Sequence, residues 1–330
     1  MQKSFCSYFI VIDDLWSTSV WDFLSCAFPK DNCGSRILTT TQVMEVALAC
    51  CNNQRGAVFN MEPLNEYQSL QLFNSRVNHI KDYNAEECNK VSCEIFKKCG
   101  YRLPLAIINI AGILAGWPDY RKNEWVYICK SLFHTSAGNP TSTKEVMEGF
   151  LNLMYNNLPT KLKTCLLYLS MYPEGCVIGK DDLVRQWVAQ GIFSQMEWKG
   201  RELEVGFIYF DELLKRGLIQ LVDTDNNNQV LSCIVHQVVL DFITKKSMQE
   251  NFIIVVDYRD TMTGLPDSKV HRLSVRFGHA KNAQIPRSFR ICQVRSFIFS
   301  GFVKSVPSLV KYCLLRVLVL HVWSDQEKKF

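Results

Sequence analysis

Two adjacent carboxylates near the start of the chain are the first residues that could do chemistry. Asp13 and Asp14 directly follow Tyr8–Ile12, a continuous apolar run typical of a strand that is buried on both faces of a parallel sheet. The carboxyl ends of such strands border the ligand crevice of an open α/β sheet. One carboxylate there could hold Mg²⁺ while the other orients a hydrolytic water, which is the Walker B arrangement. A strand-to-helix turn with an aspartate as helix N-cap explains the same pattern.

His236 is a second candidate, although no catalytic partner accompanies it. It follows the apolar run Val230–Val235 and precedes a helical pattern. A histidine at a strand end is usually a hydrogen-bonded structural residue, and ligand binding is the alternative. No Ser/His/Asp or Cys/His constellation emerges, so nucleophilic catalysis has no support. The chain also contains no G-x-x-x-x-G-K-[ST] phosphate loop, and Gly179-Lys180 does not fit that spacing.

Composition and charge exclude several classes of protein. The 330 residues, 48% hydrophobic and 21% charged, favour a globular chain of two or three domains. A formal net charge of +5, spread along the chain, gives no footprint for nucleic acid. The 14 cysteines form no C-x-x-C pair and are typical of buried, reduced thiols. No apolar stretch approaches the roughly 18 residues of a membrane span, so we expect a cytoplasmic protein.

The elements that must position Asp13 and Asp14 form an α/β unit over residues 1–61. A second β-prone run, Gly34–Thr41, lies some twenty residues after the first, with a short helical stretch between them. Two strands at this spacing predict a βαβ unit with a parallel sheet.

Residues 62–140 read as helical. Apolar residues recur at helical spacing from Tyr67 to Val77, and Pro104 opens a second apolar helix that runs to Leu114. A proline in the first helical turn costs nothing, because its missing N–H would be unpaired there anyway. A polar stretch, residues 136–144, is the best candidate linker.

Residues 141–250 predict three helices followed by a β-hairpin, the order of a winged-helix domain. The helical faces include Leu162–Leu169 and Leu183–Val188, and the third helix ends at Gly217. Two apolar runs then flank the Asp/Asn turn at residues 223–228.

The tail, residues 251–330, carries one apolar template three times. The copies are Val270-x-x-Leu273-x-Val275, Val294-x-x-Phe297-x-Phe299 and Leu315-x-x-Leu318-x-Leu320. Their spacing lies inside the range of leucine-rich repeats. Two or three repeats bury a solenoid core poorly, so we expect a truncated or poorly capped array.

The order of these segments resembles the NB-ARC domain of plant NLR disease-resistance proteins. The resemblance is carried by Phe9–Trp16 (the second kinase motif), Gly34–Gln42 (G-S-R-I-x-x-T-T-R), Tyr67–Phe73 (E-x-S-W-x-L-F), Cys99–Ala106 (C-G-G-L-P-L-A), Cys165–Glu174 with Leu183–Gly191 (C-F-x-Y-x-x-x-F-P-E and L-I-R-L-W-I-A-E-G), and Val235–Gln237 (the M-H-D position). It implies a multidomain α/β and α chain. The implied parts are a partial P-loop-type parallel sheet (1–61), a helical subdomain (62–140), a winged-helix subdomain (141–250) and the start of a leucine-rich repeat solenoid (251–330).

The resemblance implies a switch for defence signalling in which ADP locks the subdomains closed and exchange for ATP opens them. Carried over to this chain, Asp13 would serve Mg²⁺ and Asp14 hydrolysis. Thr40 would belong to the nucleotide site, Pro104 would pack on the adenine, and His236 would donate to the β-phosphate of ADP.

Three departures from the family pattern predict weakened nucleotide control. Gln42 replaces the arginine that senses the γ-phosphate, and Gln237 replaces the aspartate beside His236. Tyr101-Arg102 adds a residue to the Gly-Leu-Pro turn. With no phosphate loop in the sequence, we expect an N-terminally truncated fragment that binds ADP/ATP and Mg²⁺ weakly and does not act as an enzyme.

Three functions compete at this stage. The leading one is the NLR defence switch with impaired nucleotide binding. The second is a truncated paralogue or gene-model fragment that acts by binding full-length receptors without nucleotide, and the third is a genuine NTPase. The partners implied are other NLR chains or the chain's own missing N-terminal region, and a pathogen effector or guarded host protein. Nucleic acid and membrane are not among them.

Overall fold

The structure, a computed structural model, describes residues 7–28, 34–51, 57–77, 103–116, 143–193, 199–227, 229–257, 271–277 and 291–323. The chain divides into two compact units, Met1–Glu62 and Pro63–Phe330. Among the described residues, no helix combines the length and the apolar character that crossing a membrane requires.

The first unit contains the predicted βαβ arrangement. Its elements are β1 (Phe9–Ile12), α1 (Thr18–Ser25), β2 (Arg36–Thr39) and α2 (Met44–Cys51). The two strands pair in parallel, with Ile10 opposite Ile37. Leu15, Trp21 and Val46 form the small core beneath them.

The prediction that the first strand is buried on both faces is wrong. Phe9 is 68% exposed and Val11 55% exposed, while Ile12 packs against the core of the unit. The sheet has two strands in the described part of the chain, and the core that includes α1 and α2 lies on one face only. The apolar run therefore indicated the strand correctly but not the covering of its second face.

The second unit begins with helices that agree with the sequence pattern. They are α3 (Glu66–Val77) and α4 (Pro104–Gly116). Pro104 is the first residue of α4, as predicted. Phe73 of α3 and Ile107 of α4 are buried in the main core of this unit. Predictions for residues 78–102, which include Tyr101-Arg102, fall outside the described residues, and so do residues 136–142 of the linker predicted at 136–144. The last two residues of that prediction are wrong, because they belong to a helix that begins at Thr143.

The next region contains the predicted three helices and hairpin, together with two further helices and one further strand. In chain order the elements are α5 (Thr143–Asn157), α6 (Thr160–Tyr168), β3 (Ile178–Gly179), α7 (Lys180–Ala189), α8 (Glu202–Lys215), β4 (Gln220–Leu221), β5 (Ser232–Ile234) and α9 (Gln237–Gln249). The predicted helices are α6, α7 and α8, and the predicted hairpin is β4 and β5. The strands form an antiparallel sheet in the order β3-β5-β4. Gly191 and Gly217 follow α7 and α8 with φ of 73° and 69°, a left-handed conformation in which a Cβ would be strained.

Gly179-Lys180 lies where β3, a strand of an antiparallel sheet, meets α7. Lys180 is the first residue of α7, and its Nζ lies 2.7 Å from the Asp211 carboxylate. The lysine is therefore already paired with a carboxylate of its own chain.

A four-stranded parallel sheet ends the described chain. Its strands are β6 (Ile254–Asp257), β7 (Arg272–Arg276), β8 (Ser296–Phe302) and β9 (Val317–Trp323), in that order. The three template copies lie side by side, because Leu273 pairs with Phe297 and Phe297 with Leu318. The equivalent positions of a repeat thus share one register, although the assignment to leucine-rich repeats stays a prediction. β6 is a fourth strand that the template did not predict.

Candidate functional site

The carboxyl ends of β1 and β2 bring three of the predicted site residues into contact. Asp13 and Asp14 follow β1, and Thr40 follows β2; because the strands are parallel, both ends lie at the same edge. The Thr40 hydroxyl donates to Asp13 Oδ1 and accepts from the Asp14 N–H at 2.8 Å. All three side chains are exposed. The structure thus places this cluster where the sequence predicted a ligand crevice.

The helix-capping interpretation of the two aspartates is wrong. Helix α1 begins at Thr18 and its N-cap residue is Ser17, three residues beyond Asp14. Asp14 instead has a left-handed backbone, with φ of 56°, which is uncommon outside glycine. This conformation turns the chain sharply after β1, and it leaves both carboxylates at the strand end.

The donor set at this edge fits Mg²⁺ only in company with phosphates. Within the described ranges, no group of three or more His, Cys, Asp and Glu side chains could hold a metal ion. Mg²⁺ is usually bound through one or two carboxylates, several waters and the phosphates of a substrate. Asp13 and Asp14 supply carboxylates of this kind, so the site is consistent with a magnesium–nucleotide complex but not with a closed metal cage.

His236 is the N-cap residue of α9, and this fixes which ring nitrogen can donate. Its Nδ1 accepts a hydrogen bond from the Val238 N–H at 3.2 Å. Burial lowers the pKa of His236 below its ordinary value, which favours the neutral ring. A neutral imidazole whose Nδ1 accepts must carry its proton on Nε2. His236 therefore presents a neutral N–H donor, a role that agrees with a contact to phosphate.

Pro104 and His236 lie in the second unit, whereas Asp13, Asp14 and Thr40 lie in the first. Pro104 is exposed at the start of α4. The structure brings the three residues of the first unit together, and the convergence of all five on one nucleotide stays a prediction.

One cleft was not indicated by the sequence. It encloses about 540 Å³ between α7 and β9 and contains none of the predicted site residues. Arg185, Arg316 and His321 contribute polar groups to its lining. These residues come from segments about 130 residues apart in the chain and form no local motif, so their proximity had no signal in the sequence.

The contact between the winged-helix region and the terminal sheet was also missed. Arg276 of β7 donates to the carbonyl oxygens of Ser170 and Tyr172, at 2.5 and 2.7 Å. Ser274, two residues earlier, donates to the carbonyl oxygen of Met171 at 2.6 Å. Strand β7 of the sheet thus donates hydrogen bonds to the backbone carbonyl groups that follow α6.

Two family models match this chain, one over the first unit and one over the region of the hairpin and His236. The model of the NB-ARC domain matches residues 1–83, which include Asp13, Asp14 and Thr40, the strand-end cluster. The model of the disease resistance protein winged helix domain matches residues 171–243, which include β3, the hairpin and His236. The chain belongs to the plant disease-resistance proteins that contain NB-ARC and winged-helix domains.

Curated relatives extend this likeness to nearly the whole chain. The chain is 42% identical to disease resistance protein RGA5 of Oryza sativa subsp. japonica over 96% of its own length and 28% of the relative. It is 34% identical to disease resistance protein Pik-2 of the same organism over 98% of its length and 31% of the relative. A putative disease resistance RPP13-like protein 3 of Arabidopsis thaliana is 28% identical over 94% of this chain and 35% of the relative. The chain therefore spans about a third or less of these proteins.

Proposed function

We propose that this chain is part of a nucleotide-controlled switch in plant defence, and that His236 holds the closed state by donating to a β-phosphate oxygen of ADP. The geometry of His236 carries the proposal. Its Nδ1 is engaged by the Val238 N–H, and burial lowers its pKa, so Nε2–H is available at neutral pH. A phosphate offers acceptors only, so the ring is matched to it.

The strand-end cluster supports the same function. Asp13 would bind Mg²⁺, directly or through water, and Asp14 would orient a water at the γ-phosphate. Bound Mg²⁺ would neutralise phosphate charge. Gln42 is exposed just beyond Thr40 and is uncharged, so it offers no cation for the γ-phosphate of ATP. We therefore expect binding of ADP without appreciable ATP turnover.

The remaining parts of the proposal concern architecture and partners. Pro104, exposed at the start of α4, would pack on the adenine. The in-register parallel sheet from β6 to β9 supports the start of a leucine-rich repeat solenoid at residues 251–330. Other NLR chains are the partners expected, in the cytoplasm, with a pathogen effector or guarded host protein as the upstream signal.

Isothermal titration of the whole chain with ADP and Mg²⁺ tests the proposal. We expect micromolar binding that His236→Asn weakens by about tenfold, the worth of one hydrogen bond to a charged group. Asparagine is chosen because its side chain can still cap α9 but lacks the ring donor. His321→Ala is the matched control, since His321 is another half-buried histidine and lines a different cleft. Equal affinities for wild type and His236→Asn would refute the phosphate contact.

A second function is favoured by exposed apolar side chains in the first unit. Phe9, Val11 and Phe23 are more than half exposed. Phe9 and Val11 alternate along β1 and therefore share one face of the sheet, and a contiguous exposed apolar face is typical of surfaces that associate with other chains. If ADP gives no heat of binding and the chain forms a complex with a full-length NB-ARC receptor, a protein-binding role without nucleotide replaces the switch.

A further inference from the structure

The hydrogen bonds of Thr40 account for all of its donors. Its N–H donates to the carbonyl oxygen of Ile12 at 2.9 Å, and its hydroxyl proton goes to Asp13 Oδ1. Its two oxygens are also engaged: the hydroxyl accepts from the Asp14 N–H and the carbonyl from the Leu15 N–H, at 2.8 and 2.9 Å. A threonine has no further donor. Thr40 therefore has no proton left for a phosphate, which accepts but does not donate.

We propose that Thr40 is a positioning residue that holds Asp13 and Asp14 in place, and not a nucleotide contact. This inference rests on the proposed function, because it concerns how the strand-end carboxylates are presented to a magnesium–nucleotide complex. It replaces the role that the family resemblance implied for Thr40.

The bond to Asp13 fixes the direction of the carboxylate. An exposed aspartate otherwise samples several side-chain rotamers, and ordering it on binding costs free energy. With Oδ1 held by the Thr40 hydroxyl, Oδ2 is the oxygen left to face a cation. The carboxylate is thus pre-ordered before any ligand arrives.

The bond to the Asp14 N–H acts on the backbone. Asp14 has φ of 56°, a conformation that needs support from its surroundings in a residue other than glycine. The Thr40 hydroxyl accepts from this very residue, and its carbonyl accepts from the next. One side chain thus stabilises both the direction of the first carboxylate and the turn that places the second.

The neighbouring Thr41 gives a matched comparison. Its hydroxyl accepts from the Val43 N–H at 3.0 Å, a local turn just before α2, and contacts neither aspartate in any bond that the structure gives. Thr40→Val and Thr41→Val therefore make the same chemical change one residue apart. Only the first should affect the aspartates.

Hydrogen–deuterium exchange of the nucleotide-free chain tests the positioning directly. In Thr40→Val we expect the Asp14 amide to exchange about tenfold faster than in wild type, the effect of losing one hydrogen bond. Thr40→Ser, which keeps the hydroxyl, should stay close to wild type, and so should Thr41→Val. Asp13→Ala should speed the exchange about threefold, because the Thr40 hydroxyl then loses the partner that orients it. Unchanged Asp14 exchange in Thr40→Val would overturn the inference.

Binding of Mn²⁺ in the presence of ADP, followed by water proton relaxation, separates this inference from the proposed function. We expect Thr40→Val to weaken Mn²⁺ binding about fivefold and Thr40→Ser to leave it within about twofold, because only the first variant removes the hydroxyl that orders the Asp13 carboxylate. Equal Mn²⁺ affinity for wild type and Asp13→Asn would defeat the proposed magnesium site, while the exchange data would still decide the role of Thr40. A Thr40→Ser variant as weak as Thr40→Val would overturn the inference, since the hydroxyl would then not be the group that matters.

Discussion

Gly112 of α4 is the position where a single added methyl group should do the most damage. A Cβ there would lie 2.4 Å from Arg216 Cα, 2.8 Å from the carbonyl carbon of Arg216 and 2.9 Å from the carbonyl oxygen of Lys215. All three atoms belong to the backbone at the end of α8, so no side chain can swing aside. The close approach of α4 and the end of α8 therefore requires glycine at this position.

The expected magnitude is the difference of two opposing effects. Overpacking of a tight contact costs about 3 kcal/mol when the backbone must shift. Alanine in place of glycine inside a helix returns about 1 kcal/mol through propensity. Gly112→Ala should therefore lower the free energy of unfolding of the second unit by about 2 kcal/mol, a fall in Tm of roughly 4 to 8 °C.

Gly149→Ala is the control that measures the gain in helix propensity alone. Gly149 lies inside α5, and a Cβ there would meet nothing within 4 Å. This variant should gain about 1 kcal/mol, so the two alanine substitutions differ by about 3 kcal/mol with opposite signs. Thermal unfolding followed by circular dichroism measures both. If Gly112→Ala melts at or above the wild-type temperature, the contact between α4 and the end of α8 is not as close as described.

Two further substitutions probe contacts that the sequence did not reveal. Arg276→Met removes the donor of two bonds, to the carbonyl oxygens of Ser170 and Tyr172, and should destabilise the second unit by about 3 kcal/mol in urea unfolding. Arg201→Met, which breaks an exposed ion pair, should cost less than about 0.5 kcal/mol, and equal losses would contradict the argument. Because burial lowers the pKa of His236, the unfolded chain takes up the proton first as the pH falls. The stability that depends on the neutral ring is complete above about pH 6.5 and is lost below it. The midpoint of urea unfolding should therefore fall less for His236→Asn than for wild type between about pH 7 and 5.5. Parallel curves of midpoint against pH would show that the titration of His236 does not affect stability.

The sequence was sufficient where local chemistry decides the structure. Pro104 begins α4 because its ring fits the first helical turn, and Gly217 ends α8 in a left-handed conformation. The repeat template also predicted which residues share a register, since Leu273, Phe297 and Leu318 lie side by side in the parallel sheet. In each case the signal lies within a few residues or within one repeated pattern.

The sequence was insufficient where the result depends on what packs from elsewhere. An apolar run predicts a strand but cannot report whether a second layer covers it. The prediction that Phe9 is buried was wrong for this reason. The bond from Thr40 to Asp13 joins residues 27 positions apart, and it arises only because two strands end at one edge. Arg276 and Ser170 are 106 residues apart, and nothing in either neighbourhood marks the contact.

The contact between α4 and the end of α8 also bears on how a switch could open. Asn109 lies on α4 beside Gly217 and is 1% exposed, yet neither polar atom of its amide has a hydrogen-bond partner among the residues that the structure describes. A buried amide left unpaired costs about 1–3 kcal/mol. The contact between α4 and the end of α8 thus combines very close packing, allowed by its glycines, with the cost of burying the Asn109 amide. That cost vanishes when the helices part and water reaches Asn109. The closed and open states of this contact should differ by less free energy than the packing alone suggests. Under the proposed function, a ligand bound to both Pro104 and His236 would add its own binding free energy to the closed state of this contact. A ligand sets the position of a two-state equilibrium through such a difference in its affinity for the closed and open states.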